Sequence, residues 1–306
     1  MSDWLDWEKR LKELAEDTAE DSWPDPNLQR LEERIIGAVS KSALGWMTAV
    51  WMIIKEVMNN PSQEAFENIL DATDDDPIDI DQTVTRIVHS IDIAKRTVEH
   101  QDKLMDKGPW IEVPEPPRQK PGQPSKRAVK QKEPTKMMEW MARQSAGSKM
   151  REWAEGMRED VRWHVVQAIR EGWDIEQLAD TLSGRWDNYG QHFQTIAVTE
   201  MSMAYNNAML VHLAGQHVVV PVIGDDKVCN ECKHLLEGKV FYVNPTPIEN
   251  PTKQEANQYM WAGKSNVGRK KVDWWACTPL HPRCRHILVR YRGGNPYDYK
   301  AEPRIR

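Results

Sequence analysis

Residues 223–241 read IGDDKVCNECKHLLEGKVF, and residues 277–286 read CTPLHPRCRH. Cys229 and Cys232 are two residues apart, the spacing that lets both thiolates reach one tetrahedral zinc ion. The second stretch offers Cys277, His281, Cys284 and His286 within ten residues, more donors than one metal needs. The chain has only these four cysteines, and in a reducing compartment metal binding is a better explanation for them than disulfides. No βαβ pattern surrounds the CxxC, so redox chemistry is the weaker reading and buried free thiols are the bland one.

The flanking sequence points to a small sheet. His217–Ile223 (HVVVPVI) is a short apolar run rich in Val, read as a strand with Pro221 marking a sheet edge. Val240–Val243 and His286–Tyr291 read as two more strands, and Asn244–Leu280 as a 37-residue loop between them. A metal here would pin the CxxC turn to the last strand and close the base of that loop. With every tetrahedral position filled by protein, such a site would be structural and not catalytic.

Upstream the pattern turns helical. Met137–Ala154 and Glu159–Glu171 have helical periodicity, Asp174 is placed to cap a further short helix, and Tyr189–Gln216 forms a longer one. In that last helix Ile196, Glu200, Ala204, Ala208 and Val211 share a face of mostly small residues suited to close packing. Glu200 on such a face requires an ion pair or a cap to satisfy it.

Residues 108–136 contain seven prolines and seven Lys/Arg, a composition that cannot pack a core and reads as an extended basic tether able to touch phosphate. Residues 1–107 carry a net charge of about −12, and the tether about +4. The acidic front opens with the amphipathic pattern MSDWLDWEKRLKELAEDTAED, which lacks the features of a secretory signal and suggests a cytoplasmic protein. Asn27–Asn60 reads as a helix, and its uncharged centre, Ser42–Ile54, is bracketed by Lys41 and Lys55 too closely for a stable membrane span. DATDDDPIDID (71–81) has six aspartates but lacks the Gly and terminal Glu of a calcium-binding EF-hand loop, so it reads as a cap for a helix over Ile80–Lys107. That helix places Val84, Ile87, Val88, Ile91, Ile93 and Ala94 roughly on one face. The chain has fourteen tryptophans, which read as core and interface anchors.

Together these features give an α+β chain: an N-terminal acidic helical domain (1–107), a basic Pro-rich linker (108–136), and a C-terminal domain (137–306) of bundled helices followed by a small β-sheet with a zinc knuckle. Signatures of zinc deaminases, G-x-S-x-G hydrolases, P-loops and dinucleotide-binding folds are absent, so no catalytic or organic cofactor-binding residues are assigned.

The order IAVTEMSMAYNNAM (196–209), IGDDKVCNECKHLLEGKVF (223–241) and PLHPRCRHILV (279–289) resembles the phage Mu F-like minor head, or head morphogenesis, proteins over about residues 150–291. The resemblance implies that Thr199, Glu200, Asp226, Cys229, Cys232, Gly238, His281, Pro282, Cys284 and Arg285 are signature residues. Three departures stand out: Val198 where Arg is frequent, His286 in place of a final Cys, and the long insertion carrying Cys277. Cys229, Cys232, His281 and Cys284 are the preferred zinc set, with Cys277 or His286 as alternatives to His281.

The resemblance further implies a non-enzymatic minor capsid protein of the virion, assembled in the host cytoplasm. Its expected partners are the portal protein and the major capsid or scaffold protein, with DNA contacted through the basic linker during packaging or ejection. Two other readings compete. A zinc-supported nuclease or toxin-like effector would use His281, His286 and Asp225 around an open metal position. A DNA-binding adaptor would use the tether and the C-terminal arginines.

Overall fold

The computed structural model describes residues 23–59, 63–105, 134–223 and 228–299. The acidic N-terminal pattern, most of the Pro-rich tether, Asp225 and Asp226 lie outside the described residues. The protein is mostly helical, with a small mixed four-stranded sheet near its C-terminus.

Helix α1 spans Pro26–Asn59. Asp25 caps it, its carboxylate accepting from the Asn27 N–H at 2.7 Å, with Pro26 at the first helical position, where a missing N–H is harmless. Leu28, Leu31, Ile35, Val39, Met47, Val50, Ile54 and Val57 are buried along it at helical spacing. An 18-residue window reaches a mean hydropathy of 1.2, enough by length and composition for a bilayer crossing, and 39% of that window is buried within the protein.

Helix α2 spans Gln63–Ala72 and α3 spans Ile80–Met105. Between them runs the aspartate-rich loop, and Asp79 caps α3 by accepting from the Gln82 N–H at 2.8 Å. All six apolar residues expected on one face of α3 are buried.

Helix α4 spans Pro134–Glu171 and α5 spans Ile175–His212. Each absorbs two segments that the sequence reading separates. The expected breaks fall at residues 155–158, which include Gly156, and at Asp187–Asn188. A helical Gly costs only about 1 kcal/mol, and tertiary contacts hold both helices through these points. Trp153 donates to the Tyr189 carbonyl at 3.0 Å, Tyr189 donates to the Gly156 carbonyl at 2.8 Å, and the Trp153 and Phe193 rings lie 5.4 Å apart.

The sheet uses β1 (His217–Val219), β2 (Val240–Val243), β3 (Tyr259–Met260) and β4 (Val289–Arg290), in the order β3-β2-β1-β4. β1 runs antiparallel to both β2 and β4, while β2 and β3 are parallel. Pro221 therefore does not mark an edge: β1 is central, and its ladder ends before the proline, with the Val220 N–H still bonded to the Lys239 carbonyl. Short helices α6 (Asn230–Leu235) and α7 (Lys253–Gln258) join the strands. The expected 37-residue loop thus carries α7, closed by a Thr252–Glu255 capping box, and β3.

The chain divides into two compact units. Among the described residues, the first holds 31–59, 63–87 and 143–197, and the second 23–30, 88–105, 134–142, 198–223 and 228–299.

Candidate metal centre

Everything the second unit needs to build a metal site lies between the start of α6 and the approach to β4. The Cys229 sulfur caps α6, accepting from the Cys232 N–H at 3.4 Å, so the CxxC is wound into a knuckle with both sulfurs on one side. The His281–Cys284 turn, closed by the Cys284 N–H donating to the His281 carbonyl, brings the second pair of donors to it.

Donor atoms of Cys229, Cys232 and His281 lie within 4.8 Å of one another, as do those of Cys232, Cys284 and His286, so Cys232 belongs to both groups. His281 Nε2 is 3.3 Å from the Cys229 sulfur and 3.2 Å from that of Cys232; the Cys232 and Cys284 sulfurs are 3.9 Å apart. Ligands on a tetrahedral zinc would lie about 3.5 Å apart for a sulfur–nitrogen pair and about 3.8 Å for two sulfurs. These three spacings and the soft S/N chemistry suit such an ion, while Cys284 falls in the group with Cys232 and His286 and not in that of Cys229 and His281. Cys277 is in neither group; its buried thiol donates to the Pro279 carbonyl at 3.3 Å.

Each histidine is oriented by a partner on its other nitrogen. His281 Nδ1 sits 2.7 Å from the Pro282 carbonyl, which requires Nδ1 to carry the proton and leaves the Nε2 lone pair facing the thiols. The Trp274 ring stacks on His281 at 6.4 Å between centroids, 21° from parallel. His286 lies between Cys284 and Glu237, with Nδ1 3.5 Å from the sulfur and Nε2 3.2 Å from the carboxylate, and both His286 and Glu237 are buried.

These contacts set the charges. The hydrogen bond from Cys232 holds the Cys284 thiol well below its usual pKa against the opposing effect of burial, with His286 adding to it, while the bond to Cys284 and burial push Cys232 up. Burial would lower the His286 pKa, but its bonds to Cys284 and Glu237 outweigh that and raise it to about 9. The His286 bond holds Glu237 below the usual carboxylate range despite burial, with help from the Ile223 N–H. A cation binding here would take thiolates as ligands, so its binding would release protons from these cysteines.

The signature residues around the centre have structural roles. The Thr199 hydroxyl accepts from the Arg283 N–H at 3.0 Å, tying α5 to the HPRC turn at a residue held in the left-handed region. Gly238 has φ +65°, and any Cβ there would collide with the Tyr297 ring. Glu200 and Arg285 are both buried and engaged.

Three further residues hold the site together without a motif to announce them. Glu237 anchors His286. Asn206 donates to the His286 carbonyl at 3.0 Å and accepts from the Leu288 N–H at 2.9 Å. Asn207 accepts from the Gly263 N–H at 2.8 Å. The only sequence signal for the two asparagines is an Asn pair inside an otherwise helical run, where that residue type is a poor helix former.

Comparison with known proteins agrees with the motif order. Residues 159–289 match the family described as "Phage Mu protein F like protein", and the match begins within α4 and ends at β4. No curated protein and no solved structure matches the chain. The match spans the CxxC knuckle, the HPRC turn and the helix that ties them together, so residues 159–289 of this chain are similar to the phage Mu F-like family and support a phage head morphogenesis role.

Proposed function

We propose that the chain is a minor capsid protein acting in head assembly near the portal, with a C-terminal domain closed by one structural zinc ion on Cys229, Cys232, His281 and Cys284. In this reading His286 is not a ligand; it donates to the Cys284 thiolate and is held by Glu237. The observation that carries the proposal is the convergence of the CxxC knuckle and the HPRC turn, 49 to 52 residues apart in sequence, at donor spacings suited to a tetrahedral ion. A set of three thiolates and one imidazole leaves no open position for water, so the chain has no catalytic role in this proposal. The docking partners are the portal protein and the major capsid or scaffold protein, with the basic tether against packaged or ejected DNA.

Two measurements test it. Purified protein should contain close to one zinc per chain, with His281→Ala losing the metal and His286→Ala retaining most of it; the reverse order would move the nitrogen ligand to His286. Procapsids purified from infected cells should contain the chain in few copies. Heads of normal number and DNA content after deletion of the gene would sink the assembly role, and DNA cleavage abolished by His281→Ala in a folded protein would replace it with the nuclease reading.

A further inference from the structure

The two faces of the sheet differ in character. Val218, Phe241, Val243 and Met260 are buried on one, where Arg290 also turns inward to Asp102 of α3. Alternation along the strands sends their neighbours to the other face. There Tyr259, Tyr242 and His217 stand partner to partner across β3, β2 and β1. The Tyr291 N–H bonds to the His217 carbonyl at 2.9 Å, so Tyr291, directly after β4, is next in line. Val219 and Val289 on the same face are buried, which confines its open part to this row.

All four rings of the row are half-buried. The His217 and Tyr242 ring centres are 5.4 Å apart and those of Tyr242 and Tyr259 6.1 Å, both edge to face, which fixes the rings in orientation. Tyr299 continues the line, 5.4 Å from Tyr291 and tilted by 34°. With strands about 4.8 Å apart, Tyr259 to Tyr291 spans roughly 14 Å. Burial lowers the His217 pKa, so at pH 7 its ring is neutral and belongs to the row as an aromatic group, not as a cation.

Charge and ring chemistry together select the ligand. Residues 228–299 hold eleven Lys/Arg against six Asp/Glu, a local positive excess in a chain whose net charge is −6. The module therefore draws polyanions that the chain as a whole repels. A duplex keeps its bases stacked on one another, whereas a single strand offers free base faces to a row of rings. Aromatic side chains on one face of a four-stranded sheet stack two or three bases in this way.

We propose that the outer face of the sheet binds single-stranded nucleic acid, with Tyr259, Tyr242, His217 and Tyr291 stacking on its bases. This goes beyond the head-assembly role and differs from contact through the tether, which reads phosphate charge alone. The probe is a fluorescent oligothymidylate of about 12 nucleotides, titrated by anisotropy into the full-length protein beside an abasic strand of equal charge and a duplex of equal length. Contact by the tether is the same for the thymidylate and the abasic strand, so the ratio of their affinities isolates the sheet. That ratio should be at least about tenfold in the parent, fall by at least about fivefold in Tyr242→Ala, and stay within about twofold of the parent in Tyr242→Phe, which keeps the ring. Ultraviolet cross-linking of the parent protein needs no variant and should place thymidine on peptides carrying Tyr242, Tyr259 or Tyr291. Equal affinity for thymidylate and abasic strand, a duplex bound as tightly as the single strand, an unchanged ratio in Tyr242→Ala, or cross-links confined to residues 108–136 would each overturn the proposal. So would loss of procapsid association in Tyr242→Ala without any base preference in the parent, which would make the row a protein contact.

Discussion

The helical unit and the C-terminal β module solve the same problem with different materials. In the helical unit, α1 alone presents a stripe from Ile35 to Val57 that is buried residue after residue, and cohesion comes from apolar area distributed over many side chains. In the C-terminal module the four strands are two to four residues long, too short to hold a sheet together unaided. Cohesion there is concentrated in a few buried polar junctions: the Cys/His cluster, the Glu237–His286 pair, Asn206, and Lys264. Distributed cohesion should degrade gradually under substitution, whereas concentrated cohesion should fail at single residues.

The largest break in that contrast is expected at Cys232, whose sulfur belongs to both donor groups. Cys232→Ser should remove stoichiometric metal and make residues 217–299 protease-sensitive, while the far-UV helical signal falls only slightly. Chelation of the parent protein should produce the same cleavage pattern. Loss of helix in parallel with the module, by circular dichroism, would mean that the two regions do not differ in the way argued.

Asn206 comes next. Its amide serves a buried carbonyl and a buried N–H, at His286 and Leu288, so Asn206→Ala strands both. The expected cost is about 2–4 kcal/mol by urea unfolding of the metal-loaded protein. A loss below about 1 kcal/mol would show that solvent or a neighbour replaces the amide at little expense.

Lys264 offers a pH test. Lys264 is 6% exposed, and its ammonium donates to the carbonyls of Ala256 and Tyr259 and lies 4.6 Å from the centre of the Trp261 ring. Burial lowers its pKa to about 7, with the neighbouring Cys277 opposing and Arg269 adding to the shift. Between pH 7 and about 10 the unfolded chain binds a proton that the folded chain does not, so this residue makes stability rise with pH over that window, by at most about 1.4 kcal/mol per unit. Lys264→Met should flatten the slope measured between pH 7 and 9. An unchanged slope would mean that the carbonyls and indole faces keep the folded ammonium charged.

How much of this was legible in sequence follows the same division. Spacing within a few residues carries the CxxC knuckle, the HPRC turn and the Asp79 cap, because each is a local hydrogen-bonding or ligand geometry. The joining of segments into α4 and α5 was not legible, since the breaks around Gly156 and at Asp187–Asn188 punctuate weakly when Trp153, Tyr189 and Phe193 pack beside them. Nor was the central place of β1, because strand order depends on partners about 20 and 70 residues away, and Pro221 misleads by lying just past the ladder. Asn206 and Glu237 look like ordinary helix and turn residues, and only the fold brings them to His286, 80 and 49 positions along the chain.

The smallest expected effect lies in the helical unit and tests the contrast from the other side. There the aspartate-rich loop is held by two arginines of α4. Arg158 donates to the Asp74 carbonyl and to Asp76, and Arg162 donates to the buried Thr73 hydroxyl at 2.6 Å and to Asp74 at 2.5 Å. Drawn as a diagram, this junction is as dense as the one around His286. The Asp74 and Asp76 side chains, however, are 75% and 50% exposed, so water and salt screen the ion pairs, and Asp79 keeps its cap on α3 without them. Arg162→Ala should therefore cost no more than about 1 kcal/mol, fading as salt is raised, and should leave metal content untouched. A cost of about 3 kcal/mol, insensitive to salt, would place a second concentrated junction in the helical unit, and the distinction between the two regions would then reduce to the Cys/His cluster alone.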